Sequence, residues 1–125
     1  MKFLGIDYGS RNVGLAISDE DGKMAFPKDT LINTSVLVED ILKIVRKERV
    51  NTVVLGESKD FKGEDNPIMK RILLFKEKLE EHGIPVHFES ELFSSQAASR
   101  GQESMPKSDA SAATIILQSY LDKQK

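Results

Sequence analysis

Asp7 sits near the end of an alternating segment and is followed by Tyr8-Gly9-Ser10. A carboxylate at such a depth must be hydrogen-bonded, ion-paired or bound to a cation, because burying it alone is costly. On this residue alone, an Asx turn that folds the side chain back on Gly9 or Ser10 weighs as much as a binding role. Further carboxylates stand at Glu57, directly after Val53-Val-Leu-Gly56, at Glu89-Ser-Glu91, and at Asp109. Each has a plainer reading when taken singly. Glu57 can be an exposed loop residue, and Asp109 a helix cap or first-turn charge favoured by the helix dipole. Convergence favours chemistry. Central strand ends of an α/β sheet lie side by side, and a final helix can lay its first turn across them. Carboxylates gathered in that way repel one another and need cations between them. An oxygen-only donor set suits Mg²⁺ or Mn²⁺ rather than zinc.

Other hydrolytic chemistries are poorly supplied. The chain has no cysteine, which excludes a thiolate zinc site, a cysteine nucleophile and a disulfide framework. Its two histidines, His82 and His87, have no zinc-pair spacing and read as surface residues. Neither a G-x-S-x-G nucleophile turn nor a G-x-x-x-x-G-K-[ST] phosphate loop is present.

The elements that would position these groups follow from periodicity. Residues 2–8 alternate, with Leu4, Ile6 and Tyr8 on one side and Phe3, Gly5 and Asp7 on the other, so a strand is expected. Turn chemistry at Gly9-Ser-Arg-Asn12 leads into a second strand over 13–17, and Asp19-Glu-Asp-Gly22 into a third, interrupted near Pro27-Lys-Asp29. Val38, Ile41, Leu42 and Val45 recur at helical spacing. The β-branched run 52–55 reads as a buried strand. Asn66-Pro67 predicts a helix start, Ile68, Ile72, Phe75 and Leu79 its buried face, and Gly83 its end. A strand over 84–89, a short helix over 95–100, an irregular stretch over 101–107 and a last helix over 109–123 complete the chain. That last helix is expected to bury Ala112, Ala113, Ile116 and Tyr120. The order βββ-α-β-α-β-(α)-α implies an α/β fold, a mixed five-stranded sheet (three antiparallel strands, then βαβ units) flanked by helices.

Composition bounds the function. A chain of 125 residues with 39% hydrophobic and 30% charged residues makes one domain, 1–125, able to bury roughly two-thirds of its unfolded surface. Its apolar runs are too short for a membrane span and no signal peptide is expected, so a soluble cytoplasmic protein is predicted. Eighteen basic against 20 acidic residues leave a net charge of −2, without the overall basic field of an avid non-specific nucleic-acid binder. Local basic clusters remain: Lys43, Arg46, Lys47 and Arg49, which read best as a solvated helix face, and Lys59, Lys62, Lys70 and Arg71.

The segments Phe3-Leu-Gly-Ile-Asp-Tyr-Gly-Ser-Arg-Asn-Val-Gly-Leu-Ala-Ile-Ser18, Val53-Val-Leu-Gly56 and Ser108-Asp-Ala-Ser-Ala-Ala-Thr-Ile-Ile-Leu-Gln-Ser-Tyr-Leu121 closely resemble the YqgF/RuvX family. These are RuvC-like nucleases with an RNase H fold, described as Holliday junction resolvases and as pre-16S rRNA nucleases. The resemblance spans nearly the whole chain. It implies that Asp7 and Asp109 correspond to family acidic positions. Where the family carries Asp-Glu-Arg-Leu-Ser-Thr, this chain has Ser90-Glu-Leu-Phe-Ser-Ser95: Glu91 keeps the acid, while Ser90 and Leu92 replace Asp and Arg. Its Gly-Leu-Pro becomes Gly56-Glu-Ser58, so Glu57 adds a carboxylate on the strand where RuvC-type resolvases carry one.

The resemblance implies two-metal phosphodiester hydrolysis. Asp7 would be shared by two Mg²⁺ or Mn²⁺ ions roughly 4 Å apart, with Glu91, Asp109 and a further candidate, Glu57, completing the ligands. Lys59, Lys62, Arg100 and Arg11 are candidates to hold flanking phosphates. The expected substrate is structured nucleic acid, foremost the 5′ end of pre-16S rRNA, cut by a monomer or weak homodimer. Cleavage of branched DNA by a dimer, and a non-catalytic nucleic-acid-binding module of the same fold, stay open beside it. Gly5-Ile-Asp-Tyr-Gly-Ser10 also resembles the phosphate-1 segment of actin-like ATPases and sugar kinases, but those need two such domains.

Overall fold

A computed structural model describes residues 1–57, 67–90 and 109–124. Strand β1 (Phe3–Tyr8) forms where the alternation predicts it, and β2 (Asn12–Ser18) returns antiparallel, pairing Leu4 with Ile17 and Asp7 with Gly14. The third strand was expected to break near Pro27. Instead β3 (Ala25–Ile32) runs through it, and its pairing with β2 passes from Ala16–Pro27 to Leu15–Asp29, skipping Lys28. A bulge of one residue absorbs the irregularity, and a proline is tolerated because β3 is an edge strand.

Helix α1 (Leu37–Glu48) then crosses to β4 (Thr52–Glu57), which lies parallel to β1. Helix α2 (Pro67–Glu81) leads to β5 (Val86–Ser90), parallel to β4. Gly83, at φ 82°, stops the chain from continuing α2, as its sequence position predicts. The sheet order is β3-β2-β1-β4-β5. The last element is α3 (Asp109–Lys123). Asn66, the short helix expected over 95–100 and the irregular stretch over 101–107 lie outside the described residues.

Strand alternation divides the core between the two faces. Leu4, Ile6, Tyr8, Val53 and Leu55 pack with Ile41, Leu42 and Val45 of α1 and Ile72, Phe75 and Leu79 of α2. On the other face Phe3, Ala16 and Val54 meet Ala113, Ile116, Leu117 and Leu121 of α3. The sequence placed Ala112 and Tyr120 in that stripe; both are half-buried, and Leu117 and Leu121 take the central positions. Tyr120 flanks the contact instead, its ring 5.8 Å from Phe3 on one side and stacked 5.8 Å from His87 on the other.

Gly5 sets how near α3 comes. A Cβ there would stand 2.7 Å from the Leu117 Cβ and 3.1 Å from the Ala113 carbonyl oxygen, so only glycine lets the helix rest on the strand. Gly5→Ala is expected to cost about 1–3 kcal/mol through overpacking. Urea unfolding checks it, and an unchanged midpoint would show that α3 is not seated in this way.

Candidate active site

Contacts along β1 fix the level of each α3 residue. Phe3 is beside Tyr120, and Gly5 is beside Leu117 and Ala113, so the helix runs opposite to the strand. Two strand residues advance about 6.6 Å and four helical residues about 6 Å. Two steps beyond Gly5 is Asp7; four positions before Leu117 is Ala113, and four before Ala113 is Asp109, so the stretch level with Asp7 lies between these two. The backbone at the start of α3 therefore comes level with Asp7.

Asp7 shares the α3 face with Phe3 and Gly5 and is half-buried. Its partner on β2 is Gly14. On β4, the pairing of Ile6 with Leu55 brings Gly56 level with Asp7, and Gly56 in turn pairs with Glu89 on β5. The row across the sheet thus reads Gly14, Asp7, Gly56, Glu89. Neither neighbour of Asp7 contributes a side chain to this face. The large-small alternation of Val13-Gly-Leu-Ala-Ile17 was the sequence signal for Gly14; that Gly56 stands in the same row depends on strand register.

The expected site residues fall out as follows. Asp109 is the first residue of α3, at the outer end of the stretch that comes level with Asp7. Glu57 is the last residue of β4 and pairs with Ser90; its position has the parity of Val53 and Leu55, whereas Asp7 has that of Phe3 and Gly5. Glu91, which immediately follows β5, lies outside the described residues, as do Lys59, Lys62 and Arg100. Arg11 is exposed in the β1–β2 turn. That turn is braced by Asn33, whose backbone N–H donates to the Arg11 carbonyl at 2.8 Å and whose Nδ2 donates to the Gly9 carbonyl at 2.8 Å. Among the described side chains no three His, Asp or Glu gather into a metal-binding group.

Glu89 has a structural role that the sequence did not separate from Glu91. It is only 4% exposed, accepts from the Ser119 hydroxyl at 2.5 Å and from Lys123 Nζ at 2.8 Å, and so ties β5 to the end of α3. The spacing of Ser119 and Lys123, one helical turn apart, was the available clue. Both histidines are exposed, as expected: His82 Nδ1 lies 2.8 Å from the Lys78 carbonyl oxygen, and His87 stacks on Tyr120. No helix of the described residues is long and apolar enough to cross a membrane.

A β3-β2-β1-β4-β5 sheet with its first three strands antiparallel and helices on both faces is an RNase H-like fold. The solved structure of Thermus thermophilus RuvC in complex with Holliday junction substrate superposes with a TM-score of 0.65 at 16% identity, covering 99% of this chain and 95% of that one. The family model RuvX, described as Holliday junction resolvase, matches residues 1–123, and the chain belongs to that family. A protein of Caldanaerobacter subterraneus subsp. tengcongensis is 39% identical over 100% of this chain and 99% of its own length. One of Maridesulfovibrio salexigens is 33% identical over 97% and 98%. Both carry the name "Putative pre-16S rRNA nuclease".

Removing the buried acid should be felt in stability. Glu89→Ala is expected to cost about 1.5–3 kcal/mol, the worth of a hydrogen-bonded charged group. Lys123→Ala, at a half-exposed position, should cost less. Thermal or urea unfolding of the two variants checks the order, and equal effects would contradict the buried-anchor account.

Proposed function

We propose that this protein is a divalent-metal-dependent endonuclease that hydrolyses phosphodiester bonds in structured nucleic acid, with the 5′ end of pre-16S rRNA as its substrate. The observation that carries this reading is the placement of Asp7 between two glycines, level with the start of α3. Family membership and the names of the relatives support it. The donor chemistry fits a hard cation: Asp7 belongs to a glycine-flanked row, Asp109 opens the facing helix, Glu91 follows β5, and both imidazoles are on the surface elsewhere. A divalent cation bound there supplies the positive charge that activates water and stabilises the leaving oxygen.

The chain's own residues do the rest. Asp7 anchors the cluster because β1 lies at the centre of the sheet. Asp109, in the first turn of α3, gains from the helix dipole as a negatively charged group. Glu91 is a better third ligand than Glu57, because position 57 has the parity of the α1/α2 face. Arg11, Lys59, Lys62 and Arg100 hold flanking phosphates and orient the strand. A second reading, branched-DNA cleavage by two copies acting together, draws on the description of the family and on the RuvC fold.

Asp7→Asn is expected to reduce Mn²⁺-dependent cleavage to background while leaving the melting temperature near that of the parent. Cleavage of a precursor rRNA end and a four-way DNA junction, assayed side by side, checks it; undiminished cleavage by the variant overturns the assignment. Preference for the junction selects the second reading, and no cleavage of either selects a non-catalytic module. Glu91→Gln is expected to lower the rate more than Glu57→Gln, and the reverse order in the same assay would place the third ligand on β4.

A further inference from the structure

We infer that the groove on the opposite face of β1 from Asp7, between the start of α1 and the outer face of α2, binds a phosphate of the nucleic-acid strand beyond the scissile bond. This rests on the nuclease reading and extends it to a substrate subsite. The groove, about 340 Å³, presents Tyr8, Asn33, Thr34, Ser35, Arg71 and Lys78. Among its described lining residues are two cations and no carboxylate, beside the apolar Leu37, Val38, Leu74 and Phe75, in a chain whose acids outnumber its bases 20 to 18. Arg71 and Lys78 share one α2 face, seven positions apart, about two helical turns.

These two cations differ from the paired ones. Lys2 and Lys28 both bind Glu48, Lys76 binds Glu80, and Lys123 binds Glu89. Among the described residues neither Arg71 nor Lys78 has a carboxylate within ion-pair distance. Arg71 is instead held over the Tyr8 ring, 5.7 Å from its centroid, a cation–π contact that limits the guanidinium's freedom. A planar guanidinium, an ammonium and small hydroxyl and amide groups make a phosphate-binding set, with the apolar side chains forming the walls beneath them.

The groove is also tied to the cluster. Tyr8 follows Asp7 and points to the other face, and Asn33, on the rim, donates to the Gly9 carbonyl in the turn directly after Asp7. A strand whose scissile phosphate lies at Asp7 and passes over Gly9 therefore delivers a neighbouring phosphate to Arg71 and Lys78. The sequence grouped Arg71 with Lys59, Lys62 and Lys70 as one basic stretch, whereas the groove selects Arg71 and adds Lys78, eight positions beyond Lys70.

The test uses fluorescence anisotropy of a labelled RNA hairpin with a single-stranded 5′ flank, without divalent ions, so that binding is read apart from cleavage. The parent is compared with Arg71→Ala/Lys78→Ala and with Lys43→Ala/Lys47→Ala, a pair of exposed α1 cations outside the groove. The groove pair is expected to weaken binding about tenfold and lower the slope of log affinity against log salt by about 0.7, the value for one single-strand phosphate contact. The α1 pair should stay within about twofold of the parent. Equal binding by the groove pair, or an equal loss in both pairs, overturns the subsite. Binding that depends on the groove in a protein that cleaves nothing with Mn²⁺ overturns the nuclease reading and leaves the subsite standing. A parent that does not bind at all overturns both.

Discussion

The near-contact of α3 with β1 at Gly5 is the constraint on which the candidate site depends. With no Cβ at that position, the helix rests on the strand through Leu117 and Ala113, and that single seat sets the level of every other α3 residue. One turn toward the helix start comes Asp109, and two residues along the strand comes Asp7. A chain segment more than a hundred residues from the first strand is thereby brought to it with a tolerance set by packing. The far end of the helix is held by different means, the Glu89–Lys123 pair and the Gln118 amide, whose Oε1 accepts from the Ala25 backbone N–H at 2.9 Å. Packing at the middle and polar ties at the end leave the helix start level with the carboxylate row.

The same geometry explains how an acidic chain can act on a polyanion. On the proposed reading Asp7 and Asp109 would share a cation, whereas Glu89, which stands in the row of Asp7, is spent on Ser119 and Lys123. Elsewhere most paired lysines serve local structure. Glu48 illustrates this: its hydrogen bond and proximity to Lys28, with Lys2 behind, hold its carboxyl below the usual carboxylate range. Arg71 and Lys78 are the contrast, two cations facing a groove with no acid among its described lining residues.

Periodicity and turn chemistry made most of the fold legible. The two faces of β1, the α1 stripe, the β4 run and the stop at Gly83 all appear in the structure where their local patterns place them. What was misjudged depended on neighbours in space. The break at Pro27 did not form, since an edge strand can bulge past a proline, a fact about sheet position that residues 23–33 do not contain. The α3 stripe was mis-phased because its residues are apolar or small nearly all round, so the buried side is chosen by the glycine opposite. At the site, Asp7 and Asp109 stood out in the sequence as carboxylates near a strand end and at a helix start, and the structure has those elements there. The glycine row flanking Asp7, the off-parity position of Glu57 and the separate task of Glu89 required register, which no single segment encodes.

The proposed function requires Asp7 and the start of α3 to form one cation site. Paramagnetic broadening of backbone amide signals by substoichiometric Mn²⁺ tests it most directly, since the effect falls steeply with distance from the ion. Broadening centred on Asp7, Tyr8 and Ala110, with the amides of Gly22 and Lys123 sharp, is the predicted result. Broadening centred on another acidic stretch such as Glu20 and Asp21, or spread evenly over the surface, would contradict it.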